Sequence, residues 1–301
     1  MASLELKIQS LAVIMRNSKV IPCGPFIYSL RSPFCICTII MVLIVATSLV
    51  VFNRSATSNP TFADNVSSLF AGMPQISQSI SSNAALPKIK IPFTWLILVL
   101  LPHLMCFLAV SRSLRKDMYL VMSSSKSFYP ILLTVSCVTA TGLYWIIAGV
   151  LILLFTLLHG GEILPTTTLS LEILEGFDAS TLPANTVSIV PLIGSLFITS
   201  LSLITLQCSA GLFIKEWPPL FLIISWIVSS IFKLHPILIG NYMMFSRSSL
   251  YIDSASREIV EGNLCAGVNP FCTLVFCIGS LGIFLYLSLS RFKNIDQFGG
   301  E

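Results

Sequence analysis

Apolar and polar positions are unevenly distributed along this chain. Six long apolar runs contain no Asp, Glu, Lys or Arg: Pro33–Phe52, Ile91–Val110, Pro130–Leu158, Val187–Ile214, Trp217–Phe232 and Phe271–Ser290. A helix needs about 20 apolar residues to cross the hydrocarbon core of a bilayer. Five runs reach that length, and Trp217–Phe232 spans only with help from its flanks. Backbone groups inside lipid must be satisfied within their own segment, so each run is predicted to be a helix. The expected fold class is all-α, a polytopic helical membrane protein with six transmembrane helices. The expected organisation is an amphipathic segment at 1–32, a transmembrane domain at 33–290 and a tail at 291–301.

The segment before the first run has helical periodicity. Leu4, Ile8, Leu11 and Met15 share one face, while Glu5, Gln9, Arg16 and Lys19 lie on another. This pattern predicts an interfacial helix lying in the membrane surface or packed on the same protein. Pro22, Gly24 and Pro25 then break it. The loop 53–90 is rich in Ser, Asn, Ala and Pro and reads as an outer loop without a core of its own. It carries two glycosylation sequons, at Asn53 and Asn65. The acidic LEILEGF stretch reads as a short surface helix. PILIGNYMMF, after the fifth run, is apolar enough to dip into the outer leaflet.

Composition agrees with the pattern. Charged residues are 10% of the 301, apolar residues 55%, and mean hydropathy is +0.90. Soluble domains carry roughly 25% charged residues. Six spans and their loops leave no room for a separate soluble catalytic domain. The first run begins too late and is too long for a secretory signal, so it is read as retained. The net charge of +4 is small, and no nucleic-acid partner is expected.

The position of the charges sets the expected orientation. Lys7, Arg16, Lys19, Arg31, Arg112, Arg115, Lys116, Lys126, Lys215, Arg291 and Lys293 fall on the side of the termini. Arg54, Lys88, Lys90, Lys233, Arg247 and Arg257 fall on the other. The bias places both termini in the cytoplasm of a plasma-membrane protein.

Candidate chemistry is sparse. His103 follows Pro102 within the second run, and Gln207 lies within the fourth. An intramembrane His is a functional candidate by default. The plainer reading is a neutral His bonded to a neighbouring helix. The nine cysteines show no CxxC pair and no metal-spaced His/Cys set, so no metal is expected. Cys265 and Cys272 lie close enough in sequence to bridge at one membrane face if that face is oxidising. HExxH, GxSxG and GxxxxGK[ST] motifs are absent from the sequence. The chain is therefore expected not to be an enzyme, and any uphill transport must draw energy from another chain.

After the second run comes Ser111-Arg112-Ser113-Leu114-Arg115-Lys116-Asp117, then Met118–Met122, then Ser123-Ser124-Ser125-Lys126. The fourth and fifth runs are joined by the tight turn Lys215-Glu216-Trp217-Pro218-Pro219. This layout resembles the membrane subunit of ABC-2-type ABC transporters. The family's acidic-basic-acidic signature with Gly-Thr is replaced here by Ser111, Ser113 and Met118-Tyr119. That suggests a divergent branch, such as bacterial permeases for peptide export or antimicrobial-peptide immunity.

The resemblance implies a permease that pairs with a second permease half, as a homodimer or with a related subunit. It implies cytoplasmic ATPase partners that carry the ATP and Mg, with no cofactor on this chain. Arg112, Arg115, Lys116, Asp117, Tyr119 and Met122 would couple to the ATPase, aided by the interfacial helix. The competing expectation is a non-transport membrane protein: an immunity factor, sensor or assembly scaffold.

Overall fold

The computed structural model describes residues 24–55, 59–72, 92–115, 129–167, 188–214, 217–250 and 267–298. Seven α-helices account for most of them: α1 Gly24–Ser55, α2 Phe62–Phe70, α3 Phe93–Arg115, α4 Tyr129–Leu158, α5 Val190–Ile214, α6 Trp217–Phe232 and α7 Thr273–Phe298. Among the described residues the only β-pairing is two isolated bridges, Thr166 with Ser188 and Ser248 with Val268. The all-helical expectation therefore holds for this part of the chain. Leu4, Ile8, Leu11 and Met15, the LEILEGF stretch, Cys265 and residues 116–128 lie outside the described residues.

Among the described residues, four helical segments are long and apolar enough to cross a membrane: Leu30–Arg54, Phe93–Ser111, Leu133–Leu158 and Val190–Gly211. Trp217–Phe232 and Pro270–Phe284 are shorter apolar helices. At 1.5 Å per residue, a 16-residue helix such as α6 is about 24 Å long, less than the hydrocarbon core.

Several boundaries differ from expectation. α1 starts at Gly24, with Pro33 inside it. Pro25 sits in its first turn, where a missing N–H costs nothing. α7 runs through Arg291 and Lys293 to Phe298, so the expected tail is largely helix.

Each spanning helix has an inner face at helical spacing. On α1 it is Cys37, Met41, Val45 and Leu49; on α4, Leu133, Cys137, Ala140, Tyr144, Ala148 and Ile152. The outward faces are just as apolar: Ile39, Leu43 and Val51 on α1, Val135, Ile146 and Leu154 on α4, Val275, Ile278 and Tyr286 on α7. Water does not tolerate so much contiguous exposed apolar surface on a soluble monomer. Lipid does. α5 sits centrally, packed against α3, α4, α6 and α7.

One end of the bundle is closed by a cap of connecting segments. α2 opens with a capping box, in which the Thr61 hydroxyl accepts from the Asp64 backbone N–H and the Asp64 carboxylate accepts from the Thr61 N–H. Ala63, Val66, Leu69 and Phe70 of α2 join the main core. The loop 53–90 thus contains a helix, α2, that packs into the core of the bundle and builds none of its own. Phe70 packs edge-on to Trp145 at 5.7 Å and against Phe245 at 6.0 Å. The expected dip of PILIGNYMMF is into protein: its 3-10 turns Ile239–Met243 and Phe245–Arg247 are buried, the first packed on α5 and α6.

Both sequon asparagines are tied into the fold. Asn65 is buried, donating to the Thr156 hydroxyl at 2.9 Å and accepting from the Asn53 side chain at 2.9 Å. Neither asparagine presents a free amide to a glycosylating enzyme.

Arg247 fastens the cap to α6. Its guanidinium donates to the backbone carbonyls of Ser230, Ile231 at 2.8 Å and Lys233 at 3.2 Å, and to the Asn241 side chain at 2.6 Å. These carbonyls end α6, where helices leave acceptors unpaired and the dipole favours a cation. Desolvation lowers the Arg247 pKa to about 10, so the charge persists at neutral pH. Gly240 allows the close approach: a Cβ there would lie 2.5 Å from the Ser230 hydroxyl and 3.1 Å from the Ile227 carbonyl.

Candidate functional site: a polar seam between α3, α4 and α5

Buried polar side chains lie on more than one side of α5, the central helix of the bundle. On α5, Ser195, Thr199, Ser200, Ser202, Thr205, Gln207 and Ser209 are all buried. From Ser195 to Ser209 the stripe runs about 21 Å along the helix axis. Some hydroxyls satisfy themselves on their own helix: Ser202 donates to Ile198, Thr205 to Leu201 and Ser209 to Thr205. Others cross between elements. Trp145 donates its indole N–H to Ser200 at 2.9 Å, and Ser195 donates to the Tyr242 carbonyl at 2.8 Å.

The structure brings His103 and Gln207 together. Gln207 Nε2 donates to the His103 backbone carbonyl at 2.9 Å, and its Oε1 lies 2.9 Å from His103 Nδ1. With Nε2 of Gln207 fixed as donor, Oε1 must accept, so His103 carries its proton on Nδ1. Its Nε2 then keeps a lone pair, buried and with no hydrogen-bond partner among the described residues.

Pro102 creates a second polar requirement. Proline has no N–H for the carbonyl four residues back, which is Leu98. The Tyr144 hydroxyl of α4 donates to that carbonyl at 3.0 Å. A neighbouring helix thus satisfies the group that proline leaves open, as lipid-embedded helices require.

Below this pair, three thiols meet. The Sγ atoms of Cys106 on α3, Cys137 on α4 and Cys208 on α5 all lie within 4.8 Å of one another, and all three residues are buried. Cys106 and Cys208 are 3.3 Å apart, a thiol–thiol contact and no disulfide. Cys106 follows His103 by one helical turn, and Cys208 adjoins Gln207. The sequence holds no CxxC pair or metal-spaced set that would announce this cluster. Only the registers of three helices bring them together, and local spacing carries no such signal.

The residues expected to couple to an ATPase are divided. Arg112 and Arg115 lie on the last turn of α3, which continues the span helix without a break. Lys116, Asp117, Tyr119 and Met122 lie outside the described residues. Cys272, at the cap, is exposed and unbridged.

No protein-family model, curated protein or solved structure matches this chain.

Proposed function

We propose that this chain is the membrane-embedded subunit of an ATP-driven exporter. In this reading it crosses the membrane six times, with α1, α3, α4, α5, α6 and α7 as the spans. Both termini face the cytoplasm, and separate ATPase subunits supply ATP and Mg.

The observation that carries the proposal is the hydroxyl stripe on α5. Apolar side chains pack a static bundle well enough, and buried polar groups in lipid are costly unless they have a use. A buried polar run of about 21 Å, roughly two thirds of the hydrocarbon core, suits the wall of a path for a polar substrate. The path would open when α5 moves against α3 and α4, alone or against a second permease half. The ATPase would act through the end of α3 at Arg112 and Arg115 and the residues that follow it. Its force would be the differential affinity of the ATPase for two permease states.

The test is co-purification. The tagged full chain is extracted from its native membrane in detergent and its partners are identified. The expected result is a stoichiometric cytoplasmic ATPase that is lost when Arg115 and Lys116 are both changed to Glu. A chain that purifies alone at every salt concentration refutes the proposal and leaves an immunity, sensor or scaffold protein.

A further inference from the structure

We propose that Cys106, Cys137 and Cys208 form a binding site for a single Cu(I) ion. The site lies inside the bundle and joins α3, α4 and α5. The inference does not depend on the transport reading.

The geometry comes first. Three Sγ atoms from three helices already lie within 4.8 Å of one another, and two of them touch at 3.3 Å. Cysteine packs as a small apolar residue in many interiors. Packing alone does not require three sulfurs to face one point. Thiol sulfur is a soft donor that selects Cu(I) among the monovalent and divalent first-row ions, or Zn(II).

Coordination number separates those two. Zn(II) closes a structural site with four ligands in a tetrahedron. The cluster supplies three, and His103 is not part of the group of mutually close ligand atoms. Three sulfurs around one point suit a trigonal ion with no preference for a fourth ligand, which describes Cu(I).

The metal enters as Cu(I), so no electron is transferred. Thiolate is the form that binds metal, so three S–H bonds break, three Cu–thiolate bonds form and three protons leave to solvent. Retention should therefore rise with pH. At 1.5 Å per residue, Cys106 lies about 13 Å from the Arg115 end of α3. That is the end at which cytoplasmic copper would arrive.

The experiment uses the full chain in detergent under argon. Cu(I) is supplied as its acetonitrile complex and competed with the chelator bathocuproine disulfonate. The expected result is one Cu(I) retained per chain, with an X-ray absorption edge and fine structure of three-coordinate sulfur. Loaded protein should also unfold at a higher temperature, because the ion binds only the folded state. Cys106→Ala, Cys137→Ala and Cys208→Ala should each weaken retention by about tenfold to a hundredfold. Cys35→Ala and Cys272→Ala, at exposed thiols, should leave it unchanged. The unmutated protein decides the matter if the core variants fail to fold. Loss of all copper to the chelator would overturn the proposal. So would nitrogen or oxygen ligands at the edge, tighter retention of Zn(II), or a Cys106–Cys208 disulfide in protein taken from the membrane.

Discussion

Removing the Tyr144 hydroxyl tests how this bundle tolerates a proline in the middle of a span. Pro102 withholds an N–H from the Leu98 carbonyl, and Tyr144 supplies the replacement at 3.0 Å. Tyr144 is fully buried, so water does not take over when Tyr144 becomes Phe. A buried acceptor left unpaired costs about 1–3 kcal/mol. In the Pro102→Ala background position 102 regains an N–H, the helix bond to Leu98 re-forms, and the tyrosine becomes a second, dispensable donor. There Tyr144→Phe should cost no more than the ~0.6 kcal/mol average for hydrogen bonds between membrane helices. The two substitutions should therefore couple by about 1 kcal/mol, measured as a double-mutant cycle. The assay is reversible unfolding in mixed detergent and dodecyl sulfate, followed by far-UV circular dichroism. Equal costs in the two backgrounds, additive to within about 0.3 kcal/mol, would refute the reasoning.

Other substitutions probe the cap and the seam. Arg247→Met strips the α6 carbonyls of their donor and should destabilise by about 1–3 kcal/mol through the acceptors left unpaired, seen as a lower midpoint when a thiol-reactive dye reports exposure of the buried cysteines. A base with a folded pKa of about 10, below its ordinary value, loses its proton first in the folded state. The Arg247 contribution should thus be flat across about pH 6–9 and turn more favourable only as pH rises past 10. Gly240→Ala drives a methyl group into Ser230 and should cost about 1–3 kcal/mol as overpacking, with faster amide exchange over 239–247. Gln207→Leu should cost about 1 kcal/mol or more through the unpaired His103 N–H, while His103→Leu combined with it recovers part of that loss. Expressed in a host that glycosylates, the folded chain should show no endoglycosidase-sensitive mass at Asn65, because that side chain is buried between Asn53 and Thr156.

The apolar helices were legible because lipid demands uninterrupted apolar runs. The α6 bounds fall where the run does, at Trp217 and Phe232. Which face of a span points inward was not legible. Met41 is buried and Leu43 exposed, and hydrophobicity does not separate them when lipid and protein are equally apolar. α2 carried a readable signal that composition masked: Thr61 and Asp64 at capping-box spacing, followed by Val66, Leu69 and Phe70. His103 stood out because a His in lipid is rare. Its partner Gln207 was noticed separately, and only the packing of α3 on α5 pairs them. The thiol cluster was silent in sequence for the same reason. Its three members lie on three helices, and their meeting depends on rotations about helix axes that no local spacing encodes. Arg247 read as one outer-side positive charge among six, yet it is 2% exposed, because the carbonyls it serves belong to a helix that ends earlier in the chain.

The most direct test of the proposed arrangement, a membrane bundle capped outside and driven from the cytoplasm, is two-sided labelling in native membranes. The native thiol at Cys272 marks the cap, and a Ser113→Cys variant marks the last turn of α3. An impermeant maleimide should reach Cys272 only from outside intact cells and position 113 only from the cytoplasmic side of inverted vesicles. Labelling of both positions from the same side, or of each from the opposite side, would contradict the account.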